Sequence, residues 1–256
     1  MGSTTAALAA RGKEERRAVG LEGGGMRSRE TIAPPARLRR KAAAVDGVLR
    51  RRYRLRPWRS RDPLGMLIGT ILSQHTSDTN SDRAYAQLRR RLATWEAVRA
   101  ASTAQIAAAI RSAGLASLKA PRIHAVLHRL ARERGRLSLA FLRRWPRERA
   151  RAWLRSVPGV GPKTAAIVLQ FGLAKPAFAV DTHVDRVGRR LGLIPPRMST
   201  EDAHAWMETL IPPSRYGPLH RFLVRHGREI CTARRPRCEV CPLLRWCDYA
   251  TAMRRP

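Results

Sequence analysis

The sequence has no long apolar run, few acidic residues, few lysines, and cysteine only near its C-terminus. A membrane-spanning helix needs about 20 consecutive apolar residues, and no such stretch occurs. The N-terminus lacks the apolar core of a secretion signal, and its glutamates argue against a transit peptide. All four cysteines lie between residues 231 and 247. We therefore expect a protein of the cytoplasm, without structural disulfides.

Positive charge dominates the chain, with 51 lysines and arginines against 19 acidic residues and a net charge of +32. Residues 1–35 carry six basic and four acidic side chains, so most of the excess belongs to the remainder. Such a surface attracts polyanions, with nucleic acid as the leading candidate. A basic membrane-surface protein is the alternative, but no long amphipathic basic helix stands apart from the core pattern. We expect a nucleic-acid partner and no membrane partner.

Helical periodicity runs through the chain from residue 36, and convincing period-two alternation is absent. The fold class predicted is therefore all-α. Residues 1–35 are rich in alanine, glycine, arginine and serine without periodicity, which predicts a disordered N-terminal extension. The predicted helices cover residues 37–54, 64–72, 81–92, 103–113, 121–134, 146–156, 163–171, 184–191, 199–210 and 216–230.

One stretch combines a glycine-rich turn with a lysine. It reads Val157-Pro158-Gly159-Val160-Gly161-Pro162-Lys163-Thr164. Its two glycines allow a tight turn, and Pro162 suits the first turn of a helix, where amides point outward and bind anions. Asp181 opens another helix eighteen positions after Lys163. A lysine and a carboxylate, each at a helix start, can face one pocket.

A simpler interpretation of these residues exists. Pro-Gly-x-Gly is a common turn, Lys163 can be a solvated surface charge, and Asp181 can be only an N-cap. Composition favours the functional alternative slightly, because only five of the 51 basic residues are lysines. Arginine stays protonated, whereas lysine can lose its proton and act as a nucleophile.

The four cysteines have the spacing C-x6-C-x2-C-x5-C, formed by Cys231, Cys238, Cys241 and Cys247. Four thiolates within 17 residues can surround one small metal centre. Structural zinc is one possibility, but zinc sites usually present two C-x-x-C pairs and only one occurs here. Iron–sulfur clusters accept thiolates from a single irregular loop, so the spacing modestly favours a cluster.

Together these motifs resemble the endonuclease III family of helix-hairpin-helix DNA glycosylases. The resemblance extends over roughly residues 36–250 and includes Met66 to Asp78 and Val180-Asp181-Thr182-His183. It implies a two-domain fold with a C-terminal [4Fe–4S] loop held by the four cysteines. A six-helix domain with the hairpin would span residues 56–175, and residues 36–55 with 176–250 would form the second domain.

The resemblance also implies a function in base excision repair. Family members remove damaged bases, here expected to be oxidised pyrimidines, and cleave the strand at the abasic site by β-elimination. Lys163 would be the nucleophile and Asp181 its carboxylate partner. The expected partner is double-stranded DNA containing damaged bases or abasic sites, bound by a monomer at the nucleoid. The DNA contacts expected are Gln74, His75, Val157, Gly159, Val160, Gly161, Thr164, Arg234, Arg235 and Arg237.

Some features leave alternatives open. A loop residue fills the gap left by the flipped base in this family; Gln74 and His75 are both candidates, and His75 holds the usual position by register. His226-Gly227-Arg228 also matches the family and is interpreted as structural support. The rival functions are a monofunctional mismatch or adenine glycosylase, a non-catalytic iron–sulfur DNA-binding protein, and a zinc-stabilised RNA-binding module.

Overall fold

The computed structural model describes residues 34–58 and 62–253, which belong to one compact unit. Residues 1–33, most of the predicted N-terminal extension, lie outside the described residues. The α-helices, in chain order, are α1 Ala36–Arg52, α2 Pro63–Leu72, α3 Asp78–Arg91, α4 Trp95–Ala100, α5 Thr103–Ala109, α6 Ala116–Arg134, α7 Arg147–Arg155, α8 Pro162–Ile167, α9 Thr182–Arg190, α10 Thr200–Leu210, α11 Tyr216–Glu229 and α12 Asp248–Met253.

The all-α prediction is confirmed: the described part of the chain contains no β-strand. The helix count predicted for residues 56–175 was one too low, because α4 was not predicted. Only Val98 of its six residues is buried, so α4 has no apolar periodicity to detect. It forms because the Thr94 hydroxyl accepts a hydrogen bond from the Ala97 amide and caps its first turn. No described helix is both long enough and apolar enough to cross a membrane.

Two hydrophobic cores organise these helices. The first joins buried residues of α2 to α8, and the second joins α1 with α9, α10 and α11. An extended segment connects the two cores. Successive side chains of extended backbone point to opposite sides, so its residues pack alternately in one core and in the other. Ala177 and Ala179 pack in the first core, whereas Phe178 and Val180 pack in the second. The grouping of these cores into the two domains predicted above stays a prediction.

Helix α2 is the central element of the first core. Asp62 caps it by accepting hydrogen bonds from the amides of Leu64 and Gly65, and Pro63 occupies its first turn. Eight of its ten residues are buried, so it is apolar nearly all round. It ends at Leu72, where residues 73–77 form a polar loop before α3. This rigid helix therefore fixes where the loop begins.

Candidate active site

The glycine-rich turn before α8 is a compact hairpin whose two glycines have different roles. Gly159 has a φ of +79°, and a Cβ at this position would lie 2.5 Å from the Arg122 Cδ. The fold therefore requires glycine there. Gly161 has a φ of −85°, and nothing lies within 4 Å of the position of a Cβ. Neither conformation nor packing requires glycine at 161. The empty space beside its Cα leaves the backbone accessible to a group from outside the protein.

Three residues of the hairpin point inward. Val157, Val160 and Thr164 are buried, so their side chains cannot contact DNA on the surface. The amides of Val157 and Val160 are also used within the turn, donating to Leu154 O at 3.1 Å and Val157 O at 3.0 Å. The DNA contacts expected at these three residues stay predictions, and the burial of the side chains and the bonding of the two valine amides count against them. The amides of Gly159 and Gly161 donate to no acceptor in the described part of the chain.

Lys163 is the second residue of α8 and is half-buried. It lines a cavity of about 500 Å³ together with residues of α2 and α3, among them Met66, Tyr85 and Asp82. Burial lowers the pKa of Lys163 below its usual value, since the charged ammonium loses water. A lowered pKa increases the fraction of free amine, which is the nucleophilic form.

Asp181 is the N-cap of α9, as expected if it served only to cap this helix. Its Oδ1 accepts hydrogen bonds from the amides of His183 at 2.9 Å and Val184 at 2.8 Å. Its negative charge nevertheless reaches Lys163 and raises the pKa of that amine, opposing the effect of burial. No direct salt bridge joins Lys163 to a carboxylate within residues 34–58 and 62–253. The cap thus holds the carboxylate near the amine without neutralising it.

Other charged groups complete the surroundings of Lys163 and were not predicted. Asp78, at the start of α3, forms a 2.6 Å ion pair with Arg228 of α11. The Asp78 charge raises the pKa of Lys163, and the Arg228 charge lowers it. The interpretation of Arg228 as support for the cysteine loop is therefore incomplete. The charges of Lys163 and Asp181 also reach the buried His220, whose pKa is lowered mainly by burial.

Gln74 and His75 have different environments in the loop after α2. The Gln74 amide nitrogen donates to Gly159 O at 3.0 Å, and its oxygen accepts from Arg122 Nη1 at 3.0 Å. Gln74 thus ties the loop to the hairpin with the nitrogen of its side chain and to α6 with the oxygen. His75 is exposed and has a φ of +53°, an uncommon conformation for a histidine. Of the two, only His75 projects freely from the loop.

The four cysteines are free thiols that line one small cavity near the C-terminus. Nitrogen atoms lie beside two of the sulfurs: Arg190 Nη1 donates to Cys231 Sγ at 3.3 Å, and His226 Nε2 lies 3.6 Å from Cys241 Sγ. Burial raises the pKa of the Cys241 thiol to about 11. A metal centre would convert the buried thiols to thiolates, and N–H donors beside sulfur stabilise such ligands. The cavity and its donors fit an iron–sulfur cluster.

The loop between the first two cysteines exposes Arg234, Arg235 and Arg237. Its backbone is braced by hydrogen bonds from Thr232 Oγ1 to Arg235 O at 2.6 Å and from Arg237 N to Ile230 O at 2.9 Å. Arg190 also donates to the backbone of this loop, at Thr232 O and Ala233 O. A rigid loop with three exposed guanidiniums is suited to phosphate binding.

Comparisons with known proteins agree with this arrangement. Residues 68–213 match the family of HhH-GPD superfamily base excision DNA repair proteins, and residues 231–247 match the iron-sulfur binding domain of endonuclease III. Endonuclease III from Thermotoga maritima is 36% identical over 188 residues, which cover 73% of this chain and 84% of the relative. A protein from Arabidopsis thaliana described as a DNA glycosylase is 36% identical over 192 residues, or 71% of this chain and 65% of its own length.

A solved structure of an endonuclease III trapped covalently on DNA superposes with a TM-score of 0.74 at 27% identity. The match covers 85% of this chain and 99% of that one. Fold and site together define a helix-hairpin-helix DNA glycosylase. Within that class the chain belongs to the endonuclease III family, whose members are base excision repair enzymes that typically also cleave abasic sites. The predicted family, the [4Fe–4S] cofactor and DNA as a partner are confirmed.

The two hairpin glycines give a matched pair of variants. We expect Gly161→Ala to keep the melting temperature, because its Cβ enters open space. We expect it to weaken binding to abasic duplex about tenfold, because the Cβ keeps a phosphate away from the amide, and hydrogen bonds to a charged phosphate contribute about 1.5–3 kcal/mol. We expect Gly159→Ala to lower the melting temperature, because alanine is strained at positive φ and its Cβ meets Arg122. Thermal unfolding and fluorescence anisotropy measure the two effects. Equal behaviour of the two variants would contradict their separate roles.

Proposed function

We propose that the protein is a bifunctional DNA glycosylase and abasic-site lyase in which Lys163 is the nucleophile. The observation that carries the proposal is the state of this amine. It is half-buried beside a cavity of about 500 Å³, its pKa is lowered by burial, and no direct ion pair ties it to a described carboxylate. A lysine that served only as a surface charge would be solvated.

The chemistry begins with extrusion of the damaged nucleotide, because the target atom is out of reach inside a duplex. The base enters the cavity, and the Lys163 Nζ lone pair forms a bond to C1′ of the sugar as the C1′–base bond breaks. The base leaves with the electron pair of the C1′–base bond and takes up a proton. Nζ then loses one of its two protons, and its lone pair forms a C=N bond to C1′. The C1′–O4′ bond breaks, O4′ keeps its electron pair and takes up a proton, and the sugar ring opens to give a protonated imine. Removal of a C2′ proton then expels the 3′ phosphate by β-elimination, and hydrolysis of the imine releases the enzyme.

Asp181 has two functions in this proposal. Its carboxylate stabilises the positive charge that develops on the sugar as the base departs, and it assists proton transfer. Its Oδ1 is occupied by two backbone amides, whereas Oδ2 accepts no hydrogen bond from the described residues. The cap fixes the carboxylate in place, so one oxygen orients the group and the other remains for the reaction.

The DNA-binding surface has three parts in this proposal. The amides of Gly159 and Gly161 hold a backbone phosphate, and Arg234, Arg235 and Arg237 hold phosphates farther along the strand. His75 enters the base stack in place of the flipped nucleotide, while Gln74 braces its loop. Leu115 joins the surface as a second projecting side chain, because it is half exposed and has a φ of +48°.

The substrate proposed is duplex DNA with oxidised pyrimidines or abasic sites, bound by a monomer at the nucleoid in the cytoplasm. Family resemblance supports these three points. The monofunctional and non-catalytic alternatives both lack a role for a nucleophilic lysine. Trapping of the imine therefore separates them from the proposal.

Borohydride reduction tests the nucleophile. With duplex DNA containing an abasic site or thymine glycol, we expect wild type to form a covalent adduct, because borohydride reduces the imine to a stable amine. We expect no adduct from Lys163→Ala. Lys175→Ala is the control, since the Lys175 amine donates to Trp145 O and lies outside the proposed site. An adduct that persists in Lys163→Ala would place the nucleophile elsewhere, and strand cleavage without any adduct would refute the imine.

Substitution of Asp181 by asparagine tests whether the Asp181 charge sets the pKa of Lys163. Asparagine can still cap α9, so the fold should survive. Asp181 raises the pKa of Lys163, and its removal should lower that pKa further. The rate of adduct formation on a preformed abasic site should then reach its plateau at a lower pH than in wild type. Removal of thymine glycol should fall by about 10²–10⁴-fold, the usual contribution of a catalytic carboxylate. A plateau at unchanged or higher pH would contradict the account.

A further inference from the structure

Lys119 is a fully buried lysine that the proposed reaction does not use. It lies in the first turn of α6 and is 1% exposed. Its Nζ donates to Leu72 O and to Ala113 O, both at 2.8 Å. Lys119 forms no ion pair with a carboxylate in the part of the chain that the structure describes. Among the described residues, the only polar partners of the Lys119 amine are these two carbonyl oxygens, each at the end of a helical segment.

The two carbonyls have closely similar positions in the chain. Leu72 is the last residue of α2, and Ala113 is the last residue of the 3₁₀ turn Arg111–Ala113. The chain then runs from each carbonyl to a residue with positive φ within three positions, His75 in one case and Leu115 in the other. Both of these residues are exposed. A single amine thus joins the starting points of the two projecting loops.

We propose that Lys119 is a positioning residue that sets the spacing between His75 and Leu115, so that both side chains enter the DNA stack together. The proposal rests on the function proposed above. It makes Lys119 a determinant of activity on duplex DNA, although it lies below the surface and contacts no substrate.

The energetics of burial favour a positioning function for Lys119 over a contribution to stability alone. Burying an amine is unfavourable, and an apolar side chain of similar length would fill the same space at lower cost. Helix ends can also bond water or a following backbone amide, so capping alone does not need a buried lysine. Burial and the nearby Arg122 guanidinium lower the pKa of Lys119. The amine keeps two N–H donors even when it is neutral, so both hydrogen bonds survive either way.

A second contact from the same helix supports the assignment. Arg122 follows Lys119 by one helical turn and donates to Gln74 Oε1 at 3.0 Å. Gln74 in turn donates to Gly159 O of the hairpin at 3.0 Å. Helix α6 therefore holds the loop after α2 at its start through Lys119 and in its middle through Arg122. The projecting loops and the hairpin share one rigid support.

The test compares duplex with single-stranded substrates. Filling the gap that an extruded nucleotide leaves in the stack matters only when a second strand is present, and extrusion costs least in single-stranded DNA. We expect Lys119→Met to reduce single-turnover adduct formation on an abasic duplex by about ten- to hundredfold, the usual effect of misplacing a positioning group. Adduct formation on the single-stranded abasic oligonucleotide should match wild type.

Lys175→Met is the matched control, because Lys175 also donates to a backbone carbonyl, Trp145 O at 2.7 Å, but supports neither projecting loop. It should leave the duplex-to-single-strand ratio unchanged. Lys119→Gln is a milder second variant in case the methionine variant unfolds, with folding followed by thermal melting and by the visible absorbance of the cluster. Leu115→Ala should lower the same ratio, and its effect should not add to that of Lys119→Gln.

The outcomes distinguish failure of the Lys119 assignment from failure of the proposed function. Equal losses by a folded Lys119 variant on both substrates, or no loss on either, would overturn the positioning assignment and leave the proposed function intact. Additive effects of Lys119→Gln and Leu115→Ala would also overturn it. Wild type that forms no adduct on any abasic substrate would overturn the proposed function and this inference with it.

Discussion

The site depends on the balance of charge around the Lys163 amine. Burial favours the neutral form, whereas the carboxylates of Asp181 and Asp78 favour the ammonium. A direct salt bridge would hold the proton on the amine, and complete exposure would leave the pKa near its usual value. The structure avoids both extremes, because two backbone amides hold the Asp181 carboxylate in place as a helix cap and Asp78 is paired with Arg228. The fixed positions of these carboxylates keep the amine usable as a nucleophile.

The same helix ends that build the fold also build the site. Helix α8 begins at the hairpin and presents Lys163, helix α9 begins at Asp181, and α2 ends where the loop with His75 starts. Each of these ends is anchored in one of the two hydrophobic cores. An enzyme that extrudes a nucleotide needs such rigidity, since binding energy must deform the DNA and not the protein.

Local motifs were predictable from the sequence, and contacts between distant segments were not. The hairpin, the helix after Asp181 and the cysteine loop each depend on residues close together in the chain, so their patterns are visible directly. The Asp78–Arg228 ion pair and the Arg122–Gln74 hydrogen bond join residues far apart, and no local pattern indicates them. The same holds for Lys119, which looks like any other helical lysine in the sequence. Helix α4 was missed because it buries only one side chain.

The most direct test of the account is an NMR titration of the Lys163 side chain in the free protein, with the Lys163→Arg variant used to assign its signal. The account predicts a pKa below the usual 10.5, because burial outweighs the carboxylates, and a still lower pKa when Asp181 is replaced by asparagine. A pKa at or above 10.5 in wild type would contradict it, since the amine would then remain protonated where the enzyme must use it.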